Sequence, residues 1–158
     1  MPTVHLIHGF LGAGKTTFAK QLAEEVNGVR FNPDEWMVRL YGEDPPADEF
    51  AARLVRVSAL LDDQWTRVVG CGVDVVLDCG FWTRISRDSA RQRAATAGAE
   101  CRLYAVQCAE ATARLRCRRR NSDLRGSLYI AGNTFDVLKS RFEPLQADEP
   151  HVLIPTDV

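Results

Sequence analysis

The residues best equipped for chemistry stand near the start of the chain, in the run Gly9-Phe10-Leu11-Gly12-Ala13-Gly14-Lys15-Thr16-Thr17. The run fits the G-x-x-x-x-G-K-[ST] spacing of a phosphate-binding loop, and each part has its own physical duty. Glycines permit positive φ and let the backbone approach a ligand closely. The turned backbone aims successive amides into a nest at a helix start, where the helix dipole also favours anions. Lys15 can reach the β- and γ-phosphate oxygens, and the Thr16 hydroxyl can serve Mg²⁺. Gly9, Gly12, Ala13, Gly14, Lys15, Thr16 and Thr17 are therefore expected to bind a nucleoside triphosphate, with Lys15 acting in catalysis as well. An apolar run, Val4 to His8, precedes the loop and an amphipathic stretch from Phe18 follows it, so strand, loop and helix fall in the required order.

Two carboxylates extend the site. Val73-Asp74-Val75-Val76-Leu77-Asp78 reads as a buried strand finishing in an acid, the pattern of a carboxylate that holds Mg²⁺ directly or through water. Thr16 and Asp78 are thus the expected metal residues. Val29-Arg30-Phe31 reads as a short strand followed by Asn32-Pro33-Asp34-Glu35-Trp36, where Pro33 can open a helix. Phosphoryl transfer to an alcohol needs a group that takes the hydroxyl proton and orients the oxygen in line with the γ-phosphate. Asp34, at the end of the strand beside the loop, is the expected base, whereas Glu35 suits the solvated first turn of the helix. Trp36, Arg39, Trp82 and Arg84 also follow strand ends and are expected, with Asp34, to line the acceptor pocket.

Arginines crowd the stretch Arg114, Arg116, Arg118, Arg119 and Arg120. On a helix Arg114 and Arg118 share one face, while Arg116 pairs with Arg120 on another. Such a run is commonly a solvated face, and it lacks the interleaved aromatics of a nucleic-acid surface. Beside a triphosphate it offers what the spreading transition-state charge requires. The polar, glycine-flanked stretch 119–132 is expected to form a lid that excludes water.

The elements that must position these groups alternate strongly. Helical patterns are expected after the loop, from Pro33, over 48–69, over 83–97, over 109–119 and over 134–142. Strands are expected at 3–8, 29–31, 73–78, 101–108 and 152–154. In the long helix Phe50, Leu54, Val57, Leu61, Trp65 and Val68 form a core-facing stripe. Alternation of this kind demands a parallel sheet with helices on both faces, and ligands at the carboxyl ends of the strands. The loop, Asp34 and Asp78 should then converge on one cleft. The 158 residues suit a single domain, 1–158, and the net charge of −1 gives no general pull toward nucleic acid or membranes. No stretch approaches the ~20 apolar residues of a membrane span, and no secretion signal is read, so a cytoplasmic location is expected. Five cysteines, odd in number and without a C-x-x-C pair, read as reduced thiols, mostly small core residues. His5 and His8 read as structural.

Taken together, Gly9–Thr17, Asn32-Pro33-Asp34-Glu35, Asp78, the Arg114-x-x-x-Arg118 spacing and Phe142-Glu143-Pro144 resemble the small P-loop kinases of the AAA_33 type, relatives of zeta toxins, chloramphenicol phosphotransferase and the kinase domain of polynucleotide kinase. The resemblance implies a three-layer P-loop NTPase fold, with a nucleotide-kinase-like five-stranded sheet of order 2-3-1-4-5 and an arginine-bearing lid. It implies ATP as the nucleotide and Asp34 as the base. It also implies lid arginines at Arg118 and Arg120, with Arg114 near the adenine or the phosphates. No role for Phe142-Glu143-Pro144 follows from it. The loop is also close to that of CobW-type GTPases, but the cysteine metal motif and the Asn-Lys-x-Asp guanine reader are missing, so that match is local. The expected activity is transfer of the γ-phosphoryl group of ATP, with Mg²⁺, to a hydroxyl of a small molecule. The competing readings are a polynucleotide 5′-hydroxyl kinase and an ATPase or switch with water as acceptor.

Overall fold

The three central strands of the sheet send alternate side chains to two different helical layers, and that alternation builds the molecule. The computed structural model describes residues 1–124 and 132–157. In chain order the elements are β1 (Thr3–His8), α1 (Lys15–Glu25), β2 (Val29–Phe31), α2 (Pro33–Tyr41), α3 (Ala47–Gly70), β3 (Val75–Gly80), α4 (Arg84–Thr96), β4 (Glu100–Gln107), α5 (Glu110–Ser122), α6 (Gly132–Lys139) and β5 (Val152–Pro155). The five strands are parallel and lie in the order β2-β3-β1-β4-β5, as the resemblance implied. Of the expected lid, 119–122 close α5 and 132 opens α6, while 125–131 lie outside the described residues. No described helix is long and apolar enough to cross a membrane.

Val4 and Leu6 of β1, Val75 and Leu77 of β3 and Leu103 of β4 face one core, which α3 and α4 cover. The intervening Ile7, Val76, Tyr104 and Val106 face the second core, under α1. This is period-two geometry on a sheet buried on both sides. The stripe of α3 contributes Val57, Leu61, Trp65 and Val69 as its buried members; Phe50, Leu54 and Val68 pack at the edge. Each fully buried side chain of this size stabilises the fold by about 2 kcal/mol before entropy is counted. A third, smaller cluster joins α5 and α6 (Ala113, Cys117, Phe135) to Phe10 and Leu11 of the loop.

Several boundaries differ from the sequence reading. β3 begins at Val75 and runs through Asp78 to Gly80, because Val75–Leu77 pair with both neighbours and Gly80 still pairs with His8. Asp78 therefore sits inside the strand and not at its end. The cysteines also differ: only Cys117 is buried, Cys101 and Cys108 are half-buried, and Cys71 and Cys79 are exposed. Cys79 lies on the same strand face as Val75 and Leu77, and its exposure is to a cavity that it lines with Leu77. His5 is tied to the Tyr104 hydroxyl (2.9 Å) and to Asp74 (3.0 Å), and His8 Nδ1 donates to the Phe81 carbonyl (3.0 Å), so both are held structurally.

Downstream of α6 the chain is strapped to the β3–α4 turn by one guanidinium. Arg87 is fully buried and pairs in bidentate fashion with Glu149, at 2.8 and 3.0 Å. The same guanidinium donates to the carbonyls of Phe81, Glu143 and Pro144. Phe142 stacks on His8, with ring centroids 4.9 Å apart. The segment without a role in the sequence reading is thus a structural strap. Burial alone would raise the Glu149 carboxyl; hydrogen bonds from Arg87, Arg91 and the Gln146 amide outweigh that and bring it down to about 2. Glu149 is itself buried, with 3% of its surface exposed. A carboxyl with a lowered folded-state pKa adds stability above the ordinary glutamate range, and that stability is lost as pH falls toward the folded value. Glu149→Gln is expected to cost about 3 kcal/mol at neutral pH, the scale for a buried partner left unpaired. Urea unfolding should show the gap from wild type narrowing between pH 5 and pH 2; a gap constant with pH would contradict the assignment.

Candidate active site

The phosphate loop leaves β1 at Gly9 and enters α1 at Lys15. Gly14 caps the helix with φ 95°, a left-handed conformation that suits glycine. Gly12 has φ 72° and a second constraint: a Cβ there would lie 2.3 Å from the Ala113 carbonyl, so α5 rests directly on the loop backbone. Arg116 completes that contact, donating to the Gly12 carbonyl (3.2 Å) and to Thr156 (3.1 Å to the hydroxyl, 2.7 Å to the carbonyl). Thr156 in turn donates to the Ala13 carbonyl. On the other flank the Trp82 indole donates to the Gly9 carbonyl (3.0 Å). Lys15 Nζ donates across its own loop to the Phe10 carbonyl (2.8 Å).

Asp78 lies beneath this loop with 5% of its surface exposed. Three donors converge on its Oδ2: Thr16 Oγ1 at 2.9 Å, Asn32 Nδ2 at 2.9 Å and Arg30 Nη1 at 3.2 Å. Arg30 also forks onto both oxygens of Glu35, at 2.8 and 2.9 Å. Asn32 does double duty, since its Oδ1 accepts from the Glu35 amide (3.0 Å) as the N-cap of α2. The Thr16 hydroxyl and the Asp78 carboxylate are hard oxygen donors in contact with each other, a set that fits Mg²⁺.

Asp34, the second residue of α2, opens on the cleft. Burial raises its carboxyl, and the nearby Asp78 and Glu35 push the same way, against the pull of Lys15 and Arg120. Asp34 is nevertheless exposed to solvent. Burial likewise lowers Lys15 from the usual lysine range; Asp78 and Asp34 hold it up and Arg120 adds to the fall. One electrostatic cluster therefore contains Lys15, Asp34, Asp78 and Arg120. A cavity of about 360 Å³ adjoins it, between α3 and α4, with Asp34, Cys79, Phe81 and Trp82 among its walls.

The expected site residues divide by position. Lys15, Thr16, Asp34, Asp78 and Trp82 come together at the carboxyl ends of β1, β2 and β3. Arg120 acts on the same cluster because the α5 face carrying Ala113, Arg116, Cys117 and Arg120 is the one turned toward the loop. Arg114 is engaged by Glu110 and Asp136 and lies over the Phe135 ring. Arg118 is exposed. Trp36 and Arg39 sit on exposed positions of α2, and Arg84 forks onto Asp148 (2.8 and 2.9 Å) and Asp88; none of the three lines the cavity. Arg30, Asn32 and Arg116 are the residues of the site that carried no role in the sequence reading. Arg30 and Asn32 stand two apart at the end of β2, a spacing that sends both side chains to one side.

Strand order, loop and cleft define a P-loop kinase fold. The chain belongs to the AAA_33 family, described as an AAA domain, whose model matches residues 4–145. Among solved structures it is similar to a candidate kinase from Chloroflexus aurantiacus (15% identity, TM-score 0.80, covering 98% of this chain and 88% of that one). Kti12 from Chaetomium thermophilum, in complex with ADP-AlF3, is 21% identical with a TM-score of 0.75 over 98% of this chain and 89% of its own. The APS kinase CysC of Mycobacterium tuberculosis, in complex with AMPPNP and APS, is 15% identical with a TM-score of 0.63 over 99% and 90%. At these identities the likeness establishes the fold. A search of curated proteins gave no match.

The double role of Asn32 is testable. Asn32→Ala removes both the helix cap and a donor to Asp78, and is expected to cost about 1–2 kcal/mol. Asn32→Asp keeps the cap but sets a second carboxylate against Asp78. Its thermal stability should therefore improve relative to Asn32→Ala as pH is lowered toward 4; parallel behaviour of the two variants would argue against the Asn32–Asp78 bond.

Proposed function

We propose that the protein is an ATP-dependent kinase that transfers the γ-phosphoryl group to a hydroxyl of a small molecule. The observation that carries this reading is the place of Asp34, which lines the cavity and at the same time belongs to the charge cluster of the phosphate loop. A hydroxyl bound in the cavity donates to the Asp34 carboxylate, which orients the oxygen and receives its proton as the bond to phosphorus forms. The loop amides and Lys15 hold the phosphate oxygens, and Lys15 neutralises charge as the bond to ADP breaks. Thr16 and Asp78 would hold Mg²⁺, which when bound draws charge from the β- and γ-phosphate oxygens. Arg120 supplies positive charge from α5, with Arg118 and Arg114 on the next face of that helix. The raised Asp34 carboxyl is matched to its task, since a base nearer neutrality takes a hydroxyl proton more readily than an ordinary carboxylate. The P-loop kinase neighbours of small molecules support the same reading.

Asp34→Asn is expected to leave ATP affinity within about twofold while kcat for phosphotransfer falls by about 10²–10⁴, the range of one general base. The test is a phosphotransfer screen with labelled ATP across antibiotics, nucleosides, amino sugars and DNA ends, followed by ATP titration of the variant. ATP hydrolysis that ignores added alcohols and survives Asp34→Asn would instead make water the acceptor. In the wild type the acidic limb of kcat/KM should lie above the usual carboxylate range, activity falling as pH drops through it, and should vanish in Asp34→Asn.

Lys15→Ala is expected to lower kcat by about 10²–10³ through lost transition-state stabilisation. Equal turnover by single-time-point product assays would remove the loop from catalysis.

A further inference from the structure

We propose that the acceptor is an alcohol with an apolar or aromatic body and no carboxylate or phosphate of its own, bound in the cavity between α3 and α4; this rests on the kinase reading above. The cavity walls make the case. Leu54, Leu61, Trp65, Phe81 and Trp82 supply a largely apolar and aromatic surface. Ser58, Thr83, Ser86 and Ser89 dot it with neutral hydroxyls, which orient a ligand by hydrogen bonds without demanding charge.

The charged side chains on the cavity walls argue against an anion at the end of the cavity far from Lys15 and Arg120. Among the described lining residues Arg93 is the sole cation, and its guanidinium faces Asp62 at 3.8 Å. Asp62 is occupied on its other oxygen by the Trp65 indole, at 2.9 Å. A sugar acid, a nucleotide or a nucleic-acid end would bring a negative group against Asp34 and Asp62, with the one arginine on the walls turned toward Asp62. Recognition of such anions normally relies on an uncommitted arginine fork. An uncharged ring-bearing alcohol meets no such conflict: its ring lies on the aromatic wall and its hydroxyl reaches Asp34.

The test compares ligands that share a skeleton and differ in charge. Phenyl β-D-glucoside, phenyl β-D-glucuronide and 2-phenylethanol are titrated into the whole protein with ADP and Mg²⁺ present, by calorimetry, and then offered as acceptors with labelled ATP. The glucoside is expected to bind at least tenfold tighter than the glucuronide. Asp62→Asn, which releases Arg93, is expected to narrow that ratio by about tenfold. Equal or tighter binding of the glucuronide overturns the proposal, and so does failure of both neutral probes to bind. An Asp62→Asn ratio unchanged from wild type overturns the part assigned to the Asp62–Arg93 pair. Binding in the expected order without transfer of label leaves the ligand class standing and removes the kinase reading, so the two failures are distinguishable.

Discussion

A single buried oxygen, Asp78 Oδ2, organises the active half of this molecule. It accepts from Thr16 on α1, from Arg30 on β2 and from Asn32 at the start of α2. A carboxylate taken out of water costs several kcal/mol unless its lone pairs are met, so each donor must arrive at its place as the fold closes. The three arrivals together set the loop helix, the second strand and the second helix against β3. The position of Asp34 is a consequence: it stands two residues beyond Asn32, and Asn32 is pinned twice, to Asp78 and to the Glu35 amide.

A second frame holds the loop from outside. Phe81 adopts φ 50°, a left-handed conformation that a bulky residue rarely takes, and its carbonyl is met by His8 and Arg87. That turn delivers the Trp82 indole to the Gly9 carbonyl, while Arg116 and Thr156 grip the loop at Gly12 and Ala13. The phosphate loop is therefore clamped from β3–α4 on one side and from α5 and the β5 end on the other. Rigid backbone donors cost little reorganisation when charge develops, which is what an electrostatic catalyst of phosphoryl transfer needs. The arginines divide along the same lines: Arg116 and Arg87 brace the frame, and Arg120 contributes its charge.

The layered architecture was legible because its signals are local. Continuous apolar runs announce strands, the stripe of Phe50 through Trp65 announces α3, and a glycine loop between strand and helix announces a phosphate site. The gathering of the loop, Asp34 and Asp78 at the carboxyl edge followed from topology alone, since every strand is parallel. Other features were hidden. Asp78 read as a strand end, but pairing with β1 carries the strand on to Gly80. Trp82 read as a wall for an acceptor; it lines the cavity between α3 and α4 and braces the loop besides. Arg84 read as a pocket residue, yet Asp148, which lies 64 positions away in sequence, draws it elsewhere.

Residue types and spacing thus determined by themselves that this chain forms a doubly covered parallel sheet around a phosphate loop, because backbone freedom at glycine and side-chain periodicity act over a few residues. Tertiary structure alone decided which charges meet. Thr16 and Asp78 are 62 positions apart, Arg30 and Asp78 are 48, and Arg116 and Gly12 are 104. Partners at such separations leave no local periodicity to read; they are chosen by the strand order that brings β1, β2 and β3 side by side, and by the desolvation cost that leaves no buried charge alone.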